Sequence, residues 1–142
     1  MGSPDRQSTG PAVLIAEDDE MVAAQLRINL ELVGVTDISV AGNGRDALAL
    51  MNEGGSEIDI IFCDLNMPEM DGIELMNSLA EQSHLAKIVL ISGGYKGVLY
   101  GSAKIARNRG LDVLGVLEKP VDVDQLKELI DQFRNLAAQG DS

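Results

Sequence analysis

Five short apolar runs punctuate the chain, at Val13–Ala16, Ile38–Ala41, Ile58–Cys63, Ile88–Ile91 and Val113–Leu117. Each is too short for a helix and rich in β-branched residues, so each is expected to form a strand. Their near-continuous apolar character predicts burial on both faces, as in a parallel sheet.

Between the runs the apolar period becomes helical. From Met21 to Val33, the residues Val22, Leu26, Leu30 and Val33 share a face, and Gly34 follows as a stop. Arg45 to Asn52 predicts a shorter helix ended by Gly54-Gly55. Gly72 to Gln82 predicts one that follows the Pro68 turn, and Leu99 to Asn108 one that ends at Gly110. Val123 to Leu136 places Val123, Leu126, Leu129, Ile130, Phe133 and Leu136 along one side, an amphipathic helix packed on the sheet. The pattern is (βα)₅. It implies a doubly wound α/β fold, with a parallel sheet, helices on both faces and right-handed crossovers. Residues 1–11, polar and rich in Gly, Pro and Ser, read as a disordered lead-in. The domain is expected over residues 12–138. Residues 139–142 read as a flexible tail, where a linker would start if the native protein is longer.

Doubly wound sheets bind ligands at the carboxyl ends of their strands, near the point where strand order reverses. After the first run come Glu17, Asp18, Asp19 and Glu20; after the third, Asp64; after the fourth, Ser92; after the fifth, Lys119 and Pro120. Carboxylates, a hydroxyl and a lysine from four separate places thus converge on one edge. Glu17, Asp18 and Asp64 would repel one another unless a cation sat among them. Mg²⁺ suits such a cluster, since it takes oxygen ligands from one or two carboxylates and from phosphate. A carboxylate can itself be the nucleophile that forms an aspartyl-phosphate. Lys119 could neutralise phosphate oxygens and Ser92 hydrogen-bond one of them. Asp19 and Glu20 are expected only to cap the first helix.

Composition narrows the options. The chain has 142 residues, 45% of them hydrophobic and 24% charged, which fits one globular domain. With 11 basic and 23 acidic residues its net charge is −12, so direct nucleic-acid binding is not expected. Aromatics are 3% with no Trp, leaving the core to aliphatic residues. Cys63, the one cysteine, permits no intrachain disulfide and by strand alternation should point into the core, away from Asp64. His84, the one histidine, is expected at the surface, which excludes a Ser-His-Asp or two-histidine metal site. The N-terminus has no apolar h-region and no run approaches the roughly 20 residues of a membrane span. The expectation is a soluble, cytoplasmic protein without a membrane role.

The runs Val13-Leu14-Ile15-Ala16-Glu17-Asp18-Asp19, Asp64-Leu65-Asn66-Met67-Pro68-Glu69-Met70-Asp71-Gly72, Ile91-Ser92-Gly93 and Glu118-Lys119-Pro120 together resemble the receiver domain of two-component response regulators. The resemblance spans about Ala12 to Leu136, and its middle run is the most specific piece. It implies a flavodoxin-like three-layer sandwich with sheet order 2-1-3-4-5. It implies Asp64 as phospho-acceptor, and Glu17, Asp18, Asp64 and the Asn66 backbone carbonyl as the Mg²⁺ ligands. Ser92 would contact the phosphoryl group. Lys119 would pair with Asp64 before transfer and with phosphate after it, held in register by Pro120 through a cis peptide bond. The donor would be a phosphohistidine on a histidine kinase or histidine phosphotransfer protein. The domain would be a signalling switch that promotes its own phosphotransfer and dephosphorylation, not an enzyme in the ordinary sense. Its output would pass to an effector domain or protein through the Leu99–Asn108 helix, with a homodimer as a further option. The Ser-Gly start and the Gly110-to-Pro120 ending further resemble receivers attached to cyclic-di-GMP phosphodiesterase domains.

Two features depart from that family. Val116 stands three residues before Lys119, where receivers commonly carry a Tyr or Phe that turns inward with the hydroxyl residue. Either another residue, such as Tyr95 or Tyr100, serves the switch or output coupling is reduced. The stretch from Ser92 to Lys119 is also longer than in compact members, and Gly93-Gly94 should leave its backbone unusually free. From Ser92 to Leu111 lie Lys96, Lys104, Arg107 and Arg109 and no acid. This is a solvated helix face or a docking surface for an acidic partner or a sister receiver. Other classes fit less well. An aspartyl phosphatase or mutase wants a second acid two residues after the nucleophile, and Asn66 stands there. A flavodoxin-type cofactor binder needs a phosphate cradle where this chain has four carboxylates. A receiver-shaped interaction module without the chemistry would not need the full acidic and basic set.

Overall fold

In the computed structural model, which describes residues 10–53, 57–67, 72–82, 85–94 and 96–140, the apolar runs lie side by side as one five-stranded parallel sheet. The elements in chain order are β1 (Ala12–Ala16), α1 (Glu20–Leu32), β2 (Asp37–Ala41), α2 (Gly44–Asn52) and β3 (Ile60–Asp64). They continue with α3 (Gly72–Glu81), β4 (Lys87–Ser92), α4 (Lys96–Asn108), β5 (Asp112–Glu118) and α5 (Val123–Gly140). The strand order is β2-β1-β3-β4-β5, the flavodoxin-like arrangement expected. Order reverses between β1 and β3, so a crevice opens beyond their carboxyl ends.

Two cores sandwich the sheet. Leu14, Ile61, Cys63, Ile88, Leu90 and Val113 meet Ala47 and Met51 of α2, Leu75 and Leu79 of α3, and Leu99 and Ala103 of α4. On the opposite face Val13, Ile15, Phe62, Val89, Ile91 and Leu117 meet Ala23, Leu26 and Leu30 of α1 and Leu126 and Ile130 of α5. Period-2 alternation in the strands separates these sets, and Cys63 falls into the core as expected.

Helix ends follow local chemistry. Asp19 caps α1, its Oδ1 accepting from the amides of Met21 at 2.9 Å and Val22 at 3.2 Å. Gly34, at φ +94°, closes α1 with Gly34 N–H to the Glu31 carbonyl and Val35 N–H to the Leu30 carbonyl. Gly110, at φ +90°, closes α4 by the same pair of bonds onto Arg107 and Ala106. Both are the left-handed stop that a side chain would strain.

Several boundaries differ from the sequence reading. β3 begins at Ile60 rather than Ile58 and includes Asp64, and β4 includes Ser92, so both polar residues terminate strands instead of following them. α4 starts at Lys96, three residues before Leu99, and α5 runs on past Leu136 to Gly140 through Ala137, Ala138 and Gln139, all good helix formers. β5 carries a bulge: Ile88 pairs with Val113 but Val89 pairs with Gly115. The extra residue, Leu114, turns to the α1–α5 face, which brings Val116 onto the α2–α4 face. The residues read as Gly54-Gly55, the Pro68 turn, Glu69 to Asp71, His84 and Tyr95 lie outside the described residues, as do 1–9 of the lead-in.

Candidate functional site

Each strand delivers its polar residue by ordinary sheet geometry. The Glu17 amide extends the β1–β2 ladder by donating to the Ala41 carbonyl at 3.0 Å, and its side chain turns into the crevice, where it is 3% exposed. Asp64 ends β3 at 2% exposure. The amide of Lys119 donates to the Ser92 carbonyl at 3.0 Å, which ties the end of β5 to that of β4. The Lys119–Pro120 peptide is cis.

These side chains meet. Lys119 Nζ lies 3.0 Å from Asp64 Oδ2 and 3.0 Å from Glu17 Oε1. Asp64 Oδ1 accepts from the Asn66 amide at 3.0 Å, and Glu17 Oε2 accepts from the Asp19 amide at 3.1 Å. Asp18 is exposed, and one oxygen from each of Glu17, Asp18 and Asp64 fits within a 4.8 Å cluster. Burial first, then the neighbouring Asp64, pushes the Glu17 carboxyl up to about 7. Burial alone would lower Lys119, but the Glu17 and Asp64 carboxylates beside it outweigh that and leave the ammonium above its ordinary range. Two buried acids thus share one lysine with the exposed Asp18 beside them, which leaves an excess of negative charge at the crevice.

That imbalance suits a divalent cation. Glu17 Oε1 is buried, and although Lys119 is near, no donor is aligned to hydrogen-bond it. A hard cation would satisfy the orphaned oxygen and relieve the repulsion together. The donor set, all oxygen, fits Mg²⁺.

Ser92 is buried at 3%, and its Oγ accepts from the Gly94 amide at 3.0 Å, so the hydroxyl proton is not used in that bond. Gly93 and Gly94 have no positive φ, and a methyl group at either would make only ordinary contacts. The conformation here does not require glycine.

Two features escaped the sequence reading. Gly72 packs against the end of β3: a Cβ there would stand 2.5 Å from the Asp64 carbonyl oxygen and 2.8 Å from Leu65 Cα. Its amide donates to the Leu65 carbonyl at 3.2 Å. The Asp71-Gly72 pair that closes the most specific motif was the available signal. The second is on α1, where Met21, Ile28 and Leu32 form an exposed apolar stripe opposite the buried face, Met21 at 82% exposure. A cavity of about 310 Å³ lies beside it, between α1 and the residues Lys119 to Val121.

A doubly wound sheet with carboxylates and a lysine gathered at its switch point defines a flavodoxin-like domain of the receiver class. The model of the response regulator receiver domain family matches residues 13–131, and the chain belongs to that family of two-component signalling. It is 34% identical over 127 residues to the sensor kinase CckA of Brucella abortus, covering 89% of this chain and 13% of that protein. It is 32% identical over 122 residues to the Regulator of RpoS of Escherichia coli, covering 85% and 34% respectively. The chain therefore spans about a third or less of these curated relatives. Among solved structures, a response regulator from Colwellia psychrerythraea superposes with TM-score 0.74 at 31% identity, covering 88% of this chain and 97% of that one. The Francisella response regulator 1452 receiver domain gives 0.75 at 29%, covering 90% and 99%. No helix among the described residues is long and apolar enough to cross a membrane.

Proposed function

We propose that this receiver domain accepts a phosphoryl group on Asp64 from a phosphohistidine and thereby switches a protein-interaction face. The observation that carries the reading is the buried Asp64 carboxylate held from two sides, by the Asn66 amide and by Lys119, in an oxygen cluster with Glu17 and Asp18 that suits a cation. Glu17, Asp18, Asp64 and the Asn66 backbone carbonyl would hold Mg²⁺. When bound, the ion supplies charge neutralisation for the phosphoryl oxygens and lets a carboxylate approach them.

The chain's own residues then divide the work. An Asp64 carboxylate oxygen attacks phosphorus, the P–N bond of the donor breaks, and its imidazole leaves with the bonding pair. The oxygens already have fixed directions, so little reorganisation precedes attack. Lys119 is placed to follow the negative charge as it spreads from carboxylate to phosphoryl group. The unspent hydroxyl proton of Ser92 is the donor nearest β4 for a phosphoryl oxygen. The donor protein, a histidine kinase or phosphotransfer protein, would settle on the α1 stripe beside the crevice mouth, where apolar contact orients it.

Readout falls to α4. Val116 is only partly buried, and beside it a cavity of about 300 Å³ is lined by Tyr100, Glu118, Lys119 and Gln125. Tyr100 is 54% exposed and on the first turns of α4, so its ring can enter that space where Val116 leaves it unfilled.

The test is incubation with Mg²⁺ and acetyl phosphate, read by intact mass and amide spectra beside an Asp64→Ala control. A Mg²⁺-dependent adduct that vanishes in the control is expected, with amide shifts reaching α4. A folded chain that takes no phosphoryl group would leave only a receiver-shaped interaction module.

A further inference from the structure

The sequence predicts only a capping role for Asp19, and its carboxylate does cap α1. Its Oδ1 accepts from the amides of Met21 and Val22, and its carbonyl accepts from the Ala23 amide at 2.9 Å. The amide of the same residue points the other way, into the crevice, where it donates to Glu17 Oε2 at 3.1 Å. One residue therefore grips the first turn of α1 with its side chain and a buried acid with its backbone.

The two grips are mechanically joined. Asp19 is extended, at φ −83° and ψ 113°, and the bonds from its Oδ1 to the first turn close rings that hold the backbone in that shape. The direction of its N–H follows. A carboxylate is planar and rigid, so fixing Glu17 Oε2 also fixes where Oε1 points. Oε1 is the buried oxygen without an aligned donor, 3.0 Å from Lys119 Nζ. Glutamate has one more rotatable bond than aspartate, so its carboxylate depends more on such a hold. Asp18 lies between the two in the chain, and its backbone moves with that of Asp19. Two of the three carboxylates of the cluster are thus anchored on the first turn of α1.

Building on the reading of Glu17, Asp18 and Asp64 as a cation site, we propose that Asp19 is a positioning residue of that site. By capping α1 it holds its own amide against Glu17 Oε2 and so keeps Glu17 Oε1 turned toward the cation. Linkage makes the effect reciprocal: an ion that holds Glu17 and Asp18 also tightens the first turn of α1. Met21, whose amide completes the cap, is exposed, so occupancy of the crevice is felt at the outer surface of α1.

The competing explanation is charge, since any acid near the cluster attracts a cation. The experiment separates the two by titrating Mg²⁺, without a phosphoryl donor, into the whole ¹⁵N-labelled chain and its variants. Asn and Ser cap about as well as Asp but carry no charge, whereas Ala neither caps nor carries charge. Asp19→Ala should bind Mg²⁺ about tenfold more weakly, the loss usual for a group that orients a metal ligand. Asp19→Asn and Asp19→Ser should stay within about twofold of the parent, because an exposed charge is well screened. Asn43→Ala removes the equivalent cap of α2, an Oδ1 that accepts from the Asp46 amide at 2.8 Å, and should bind as the parent does. In the parent, Mg²⁺ should slow solvent exchange of the Met21 and Val22 amides; in Asp19→Ala it should not. Parent affinity in Asp19→Ala would overturn the proposal. So would equal weakening in all three Asp19 variants, which makes charge the cause, or a matching loss in Asn43→Ala, which makes it general helix stability. A parent chain whose Asp18, Asp19 and Asn66 amides ignore Mg²⁺ sinks the cation site itself and the proposal with it. A parent that binds while Asp19→Ala binds equally sinks the proposal alone.

Discussion

The two halves of the sheet are built to different tolerances. Between β1 and β3 the register is unbroken, from Val13 opposite Ile60 to Ala16 opposite Cys63, and each buried acid beyond it has a placed donor. Between β4 and β5 the register slips at a bulge, and Gly115 underlies Leu129. A half-exposed tyrosine there borders a cavity of about 300 Å³. The adjoining α4 contains Gly97 and Gly101, and nothing lies within 4 Å of where their side chains would be. Chemistry on phosphorus needs its groups held within a fraction of an ångström, whereas a readout needs an element with two arrangements of similar energy. The rigid half suits the first task and the loose half the second.

The largest expected effect is on the rigid half. Gly72→Ala forces a methyl group onto the backbone of Asp64 and Leu65, which cannot yield as a flexible side chain would. The variant should lose about 3 kcal/mol of stability, an overpacking cost, in urea denaturation. Phosphorylation by acetyl phosphate should fall further than that loss explains, because the displaced backbone is that of the proposed acceptor, Asp64. A folded Gly72→Ala chain with an unchanged phosphorylation rate would mean that the site is less tightly positioned than the geometry implies.

Next comes the crevice charge. The Glu17 carboxyl keeps its proton to about pH 7 in the folded chain, against 4.5 for an ordinary glutamate. Over that window the folded state binds more protons than the unfolded one, so metal-free stability should decline as pH rises from 4.5 to about 7 and level off above. The decline should be on the order of 3 kcal/mol. Glu17→Gln should flatten it, and Mg²⁺ added above pH 7 should restore stability to the parent chain by binding only the folded cluster. Urea midpoints in EDTA and in Mg²⁺ across this range give the answer. A parent curve as flat as the variant's would show that Lys119 already neutralises the crevice.

The loose half should respond in the opposite sense. Gly101 lies inside α4 with open space around its missing side chain. Gly101→Ala should therefore stabilise the domain by about 0.5 to 1 kcal/mol, the ordinary glycine penalty of a helix interior. If looseness serves the readout, the same change should shrink the phosphorylation-dependent amide shifts along α4 while the Asp64 adduct forms normally.

How legible each half was in the sequence follows from the same contrast. Glu17, Asp64, Ser92 and Lys119 were visible because each stands where a short apolar run breaks off into polar residues. Gly34 and Gly110 announced their helix ends for a similar local reason. The β5 bulge was not legible: Leu114, Gly115 and Val116 read as an unbroken strand, and only pairing with β4 reveals the extra residue. The role of Gly72 was hidden because it depends on the backbone of a residue eight positions away. The α1 stripe of Met21, Ile28 and Leu32 was masked by the stronger buried period of Val22, Leu26 and Leu30 on the same helix.

The smallest stability change, and the sharpest question about the loose half, belongs to Tyr100. A side chain 54% exposed at the edge of a cavity contributes little to folding, so Tyr100→Ala should move stability by less than about 0.5 kcal/mol. Its effect should appear instead in how the two halves communicate. In the parent chain, phosphorylation at Asp64 is expected to draw the Ser92 hydroxyl away from the Gly94 amide, freeing the start of α4 and letting the ring move toward Val116 and Glu118. Without the ring, shifts at Ser92 and Gly94 should persist, while those at Val116 and along α4 should fade. Tyr100→Phe should keep them, since the argument uses the ring's volume and not its hydroxyl. Full shifts in Tyr100→Ala would place the link between the halves in the backbone at Ser92 to Gly94, with the cavity beside Val116 playing no part.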